Sequence, residues 1–194
     1  AVGNRAAVQG QSKYEIDAGE TNAIFNGEPV KVDISASTGG YIVTAAAGTA
    51  TVGVLNGVFF TAATTLKPTF SNFYPAATTP ANSEDVTAFV NDDPLQEYII
   101  ASDATLGATL ALRKSKVGLT YATTSAAGST TTGKSSVQLG ISTAATTAKA
   151  LRVVRVAEDP ENEDQTAANC SVVVKINLHQ YTVGSVSYTH LTLP

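Results

Sequence analysis

Apolar residues in this chain alternate in short runs, and Gly, Pro, Asn or Asp closes each run at a spacing of roughly 8–12 residues. No long helical period lies between the runs, so a parallel sheet built through crossover helices is disfavoured. The pattern predicts a mostly-β protein of sandwich or barrel type. Composition agrees. Ala and Thr supply roughly three residues in ten, while charged residues make up 14% against about 25% in an average globular chain. Small and β-branched residues at that density favour strands and turns over helices.

The pattern divides the 194 residues into four parts. Residues 1–23 read as an extended N-terminal arm: Gly3, Gly10 and Gly19 interrupt it, and its apolar residues are isolated. Such a segment buries too little surface to fold alone but can order on a partner. Val2, Val8, Tyr14 and Ile16 are its candidate anchors on such a partner. Residues 24–92 form a first β module. In it Val30, Val32 and Ile34 share one face, and residues 41–44 make a short strand. Residues 51–60 are the longest apolar stretch. Gly53 and Gly57 inside that stretch mark a bulge or a close backbone approach. Pro68 places residues 66–73 at a sheet edge. The run Asn91-Asp92-Asp93-Pro94 is the internal boundary, because Asn and Asp turn the chain and Pro cannot continue a ladder.

Residues 93–182 form a second β module. Strands are expected at 95–101, 117–121, 151–156 and 171–178, and Val137, Leu139 and Ile141 alternate as another. Asp103 caps a short helix over 103–112. Residues 183–194 are a tail, and the stretch from Val186 to Pro194 resembles a translated sequencing adapter. The expectation is that residues from about 185 onward are a non-native scar.

Composition also narrows the function. The net charge is −4, so there is no basic excess to release phosphate counterions, and nucleic acid is not an expected partner. No run approaches 18 apolar residues, so no membrane-spanning helix is expected. The start, Ala1-Val2-Gly3-Asn4-Arg5, has no basic region followed by an apolar core, so no signal peptide and synthesis in a cytoplasm are expected. One cysteine permits no internal disulfide, and with only His179 and His190 beside it a Cys/His zinc site is nearly excluded.

Three constellations invite a chemical reading. The run Gly128-Ser129-Thr130-Thr131-Thr132-Gly133-Lys134-Ser135 matches the phosphate-binding pattern G-x-x-x-x-G-K-[ST]. That chemistry needs a helix N-terminus after the loop, and Val137, Leu139 and Ile141 alternate like a strand instead. A hairpin loop is therefore expected, with no bound nucleotide. Residues 158–164 hold five carboxylates, an oxygen density that suits Ca²⁺, but their spacing lacks the central Gly of a calcium loop. A solvated hairpin tip is expected there. Hydrolysis by a Ser-His-Asp set needs a His base and a nucleophile elbow, and no G-x-S-x-G occurs. Cys170 opens a Val-rich strand, where a buried, inert thiol is expected. The residues thus point to a non-enzymatic protein with no cofactor and no metal.

The chain also resembles a known group. The segments Ile24-Phe25-Asn26-Gly27-Glu28-Pro29-Val30, Gly53-Val54-Leu55-Asn56-Gly57-Val58-Phe59-Phe60 and Lys67-Pro68-Thr69-Phe70-Ser71-Asn72-Phe73-Tyr74-Pro75 look like small virion structural proteins of marine tailed bacteriophages. So do Ala88-Phe89-Val90-Asn91-Asp92-Asp93-Pro94, Leu151-Arg152-Val153-Val154-Arg155-Val156 and Ile176-Asn177-Leu178-His179-Gln180-Tyr181. The resemblance implies a decoration or cement protein on the capsid exterior. Its implied partners are the major capsid protein and copies of itself, as a homotrimer or homodimer. The alternative is a tail-fibre or host-binding adhesin module.

Overall fold

The structure is a computed structural model that describes residues 10–35, 39–124, 126–145, 148–157 and 166–182. It is mostly β. Among the described residues ten strands run in chain order: β1 (Ser12–Ile16), β2 (Pro29–Val32), β3 (Ile42–Thr44), β4 (Gly53–Thr61), β5 (Pro68–Ser71), β6 (Val86–Asn91), β7 (Glu97–Ala101), β8 (Thr120–Tyr121), β9 (Leu151–Val156) and β10 (Ser171–Ile176). The one α-helix among the described residues, α1 (Leu110–Lys114), is five residues long. No described helix is long and apolar enough to cross a membrane.

The strands form two antiparallel sheets. The first has the order β1-β6-β4-β2-β3, with β5 also paired to β4, and the second the order β7-β10-β9-β8. The first sheet curls until β3 comes beside β1. Its inner face gathers Ile16, Val30, Ile42, Leu55, Val58, Val86, Ala88 and Val90, with Ile24 and Tyr74 from flanking loops. The second core gathers Tyr121, Leu151, Val153, Val172, Val174 and Ile176 from its sheet, with Leu106, Leu139 and Ile141 brought in from connecting segments. The chain passes from the first sheet to the second at residues 92–96, where Asp93 accepts from the backbone N–H of Leu95 at 2.8 Å and of Gln96 at 3.1 Å. That is the turn chemistry expected of Asp before a Pro.

Both glycines inside β4 have structural reasons. A Cβ at Gly53 would run into the Asn91 carbonyl and lie 2.8 Å from Val90 Cγ1. At Gly57 the register against β6 slips, with Leu55 paired to Val90 and Gly57 to Phe89. This is the bulge that glycine announces. Pro68 sits on β5, which pairs only with β4 among the described strands, so its missing N–H costs no ladder bond.

Four expectations are corrected. Residues 12–16 are not a free arm but the strand β1, paired with β6 from Ser12↔Val90 to Ile16↔Val86. Alternation carried it: Tyr14 and Ile16 face the first core while Lys13 and Glu15 face out. β2 stops at Val32, and Ile34 is 89% exposed. The helix starts not at Asp103 but after Thr109, whose hydroxyl accepts from Leu112 N–H. Asp103 instead uses Oδ1 to accept from Ile141 N–H at 2.8 Å. Residues 137–141 make no named strand: Leu139 forms isolated bridges with Ser102 and Thr123, and Ile141 opens a 3₁₀ turn.

Two short pieces of the second half return to the first sheet. Asn26 pairs with Lys134, and Thr51 pairs with His179. The Gln180 side chain acts as a strand substitute for β2. Its Oε1 accepts from Val32 N–H at 2.7 Å and its Nε2 donates to Val32 O at 3.0 Å.

Candidate functional site

Of the four anchor residues, Val2 and Val8 lie outside the described residues. Tyr14 and Ile16 are committed to the chain's own core. Ile16 is 0% exposed, so it can reach a neighbour only if β1 leaves the sheet. Tyr14 is half-buried and donates its phenolic proton to Asp92 Oδ2 at 2.9 Å. Burial raises its ionisation above the usual tyrosine range, and the Asp92 carboxylate adds to the shift. Tyr14 therefore ties β1 to the crossing between the sheets.

The phosphate-pattern segment 128–135 folds as a closed turn. Gly133 N–H donates to Ser129 O at 2.7 Å, and Ser129 N–H donates to Lys134 O at 2.9 Å. Gly133 has φ +69°, and a Cβ there would run into the Asn72 side chain, which itself donates to Thr132 O at 2.8 Å. The backbone N–H groups of Ser129 and Gly133 are thus turned onto carbonyls and those of Thr132 and Lys134 onto hydroxyl oxygens, and no helix follows. The segment is instead a docked hairpin. Gly128 lies against the Phe25 ring, and Phe25 stacks on Phe73 with centroids 5.4 Å apart. Ser135 N–H donates to Asn26 O, and Asn26 N–H donates to Gly133 O.

His179 is buried and both ring nitrogens are engaged. Tyr181 N–H donates to Nδ1 at 3.1 Å, so the proton sits on Nε2, which donates to Asp92 O at 3.1 Å. The residue staples the chain's return segment to the crossing between the sheets. Cys170 is buried, and its thiol lies 3.2 Å from Ala167 O. The acidic run 158–164 lies outside the described residues. Among the described residues no three His, Cys, Asp or Glu side chains gather to hold a metal.

Two features remain that could meet another molecule. The first is a cavity of about 450 Å³ between the sheets. Val54 and Pro29, on the outer face of the first sheet, form one wall; Ile100, Val174 and Ile176, on the core face of the second, form another. The docked hairpin supplies Lys134 to its lining. Thr51 also lines it, and the Thr51 hydroxyl is buried with no hydrogen-bond partner among the described residues.

The second feature is an aromatic strip on the outer face of the first sheet. Phe59 pairs with Phe70 across β4 and β5. Phe70 in turn lies over Gly57 and tilts against Phe89 at a centroid distance of 5.9 Å. Phe59 is 40% and Phe70 66% exposed, and Leu66 is exposed in the turn joining β4 to β5. The sequence carried a signal for this strip: Phe59 and Phe60 are adjacent on a strand, so one of them must leave the core. No comparable signal marked the cavity, because its walls come from segments far apart in the chain. No protein-family model, curated protein or solved structure matches this chain.

Proposed function

We propose that this chain is a structural protein of a bacteriophage virion that binds the outer surface of the capsid and stabilises it. The observation that carries the reading is the aromatic strip of Phe59, Phe70 and Phe89. An apolar strip on a rigid sheet is a docking surface that needs little ordering on contact. The likeness of the quoted segments, spread over most of residues 20–182, to phage virion proteins supplies the partner class, the major capsid protein. Symmetry multiplies one modest contact over many copies, so no single interface must be strong. Self-association as a dimer or trimer belongs to the same reading.

The test uses undecorated tailed-bacteriophage capsids assembled from major capsid protein alone. The expected result is co-sedimentation of the intact chain, lost in Phe70→Ser and reduced in Phe59→Ser. Both side chains are exposed, so the variants keep the fold. Failure of the intact chain to attach, or attachment confined to tails, overturns the proposal and favours the adhesin.

A further inference from the structure

We propose that the cavity between the sheets is a binding site for a small amphiphile, an alkyl chain ending in a carboxylate. At about 450 Å³ it falls within the roughly 300–1,000 Å³ typical of small-molecule sites. Most of its walls are apolar: Val54 from the first sheet, Ile100, Val174 and Ile176 from the second, and Val137 beyond the hairpin. An alkyl chain placed there removes apolar surface from water on both partners.

The polar groups specify the head. Lys134 is the only charged residue among the described lining residues, and its ammonium makes no ion pair among them. Thr51 is 2% exposed. Its backbone is fully engaged, with its N–H donating to Leu178 O and its carbonyl accepting from Gln180 N–H. Its hydroxyl is buried with no hydrogen-bond partner among the described residues, which costs free energy unless another atom answers it. One cation and one hydroxyl donor match a monoanion with two acceptor oxygens. The hairpin that brings Lys134 here does so by pairing with Asn26, another lining residue, so the docked turn has a use beyond closing the fold. This site needs no capsid and stands apart from the virion reading.

The test is calorimetric titration of the full chain with decanoate and, in parallel, with decanol. Saturable one-to-one binding of decanoate is expected, with decanol weaker. Lys134→Ala should weaken decanoate by about tenfold and leave decanol unchanged. Thr51→Val should weaken decanoate while the melting temperature of the free chain holds or rises, since an unanswered hydroxyl is removed. Val54→Phe should fill the cavity and abolish both heats in a chain whose circular dichroism is unchanged. If that variant does not fold, the Lys134 and Thr51 variants carry the decision. Absence of saturable decanoate binding overturns the proposal, and so does an equal loss of decanoate and decanol in Lys134→Ala.

Discussion

The first sheet covers its own core by curling, whereas the second is covered by a long stretch of chain with little regular structure. Between the end of β7 at Ala101 and the start of β9 at Leu151 the described elements are α1, the two-residue β8 and one 3₁₀ turn. Yet this stretch delivers Leu106, Leu139 and Ile141 into the second core. The physical difference lies in the hydrogen bonds. A ladder satisfies successive N–H and C=O groups by geometry alone. An irregular cover must answer each buried group separately. Here Asp103 Oδ1 answers Ile141 N–H, Thr143 Oγ1 answers Ala122 N–H, and Thr124 Oγ1 answers Gln138 N–H. The abundance of Thr in the sequence is used in this way on the second side. On the first side it occupies outward strand positions such as Thr87.

The two regions should nevertheless melt together. Gln180 bridges to Val32, His179 to Asp92 and the 128–135 hairpin to Asn26. Each core should therefore report on the whole. Leu55→Ala in the first core and Leu139→Ala in the second, both buried, should each cost about 2–5 kcal/mol. Thermal denaturation followed by calorimetry should show one transition moving down in both variants. Two separated transitions, each moved by only one variant, would break the coupling and make the sheets independent domains.

A smaller effect sharpens the contrast. Asp103→Ala leaves Ile141 N–H unanswered beneath the second sheet and should cost about 1–3 kcal/mol. Thr87→Ala, on the outer face of the regular first sheet, should stay within about 0.5 kcal/mol. Urea titration of both variants gives the two numbers. Equal costs would show that the irregular cover depends no more on its side chains than the ladder does.

The same contrast explains what could be read from residues. β3, β4, β9 and β10 are legible because short apolar, β-branched runs are bounded by turn-forming residues. The crossing near Asp93 was legible from turn chemistry. Leu139 and Ile141 also alternate, and both are buried, but isolated bridges replace the expected strand. Alternation reports burial and cannot say whether a ladder partner lies alongside. Asp103 looks like a helix cap in the sequence because capping and long-range acceptance use the same oxygen. The five residues of β1, with two apolar side chains, look like an arm until β6 is placed beside them. The cavity depends on Thr51, Val54, Lys134 and Val174 converging from distant positions, and no local pattern encodes that.

The smallest expected effect concerns Glu28, the buried carboxylate at the start of β2. Its Oε2 accepts from Phe25 N–H at 2.8 Å, closing the turn that presents Phe25 to Phe73. Burial raises its ionisation above the usual carboxylate range, and the bond from Phe25 N–H offsets only part of that. The folded chain therefore keeps this proton at pH values where the unfolded chain has released it. The folded state then binds more protons, so the Glu28 contribution to stability declines as pH rises from the unfolded value of about 4.3 through the higher folded value. Above that window the ionised group is a standing cost. Glu28→Gln keeps an oxygen for Phe25 N–H and removes the charge. At pH 7 the variant should melt at a higher temperature than the parent, and the gap should close as pH falls below about 4. Melting curves of the pair across pH 3.5–7.5 (roughly the span of the titration) isolate this group, because the other carboxylates are common to both chains. A variant less stable than the parent at pH 7, with a gap that widens as pH rises, would show that the ionised form serves the turn. The first core would then depend on a particular charged side chain, as the second depends on Asp103, and the contrast between the sheets would weaken.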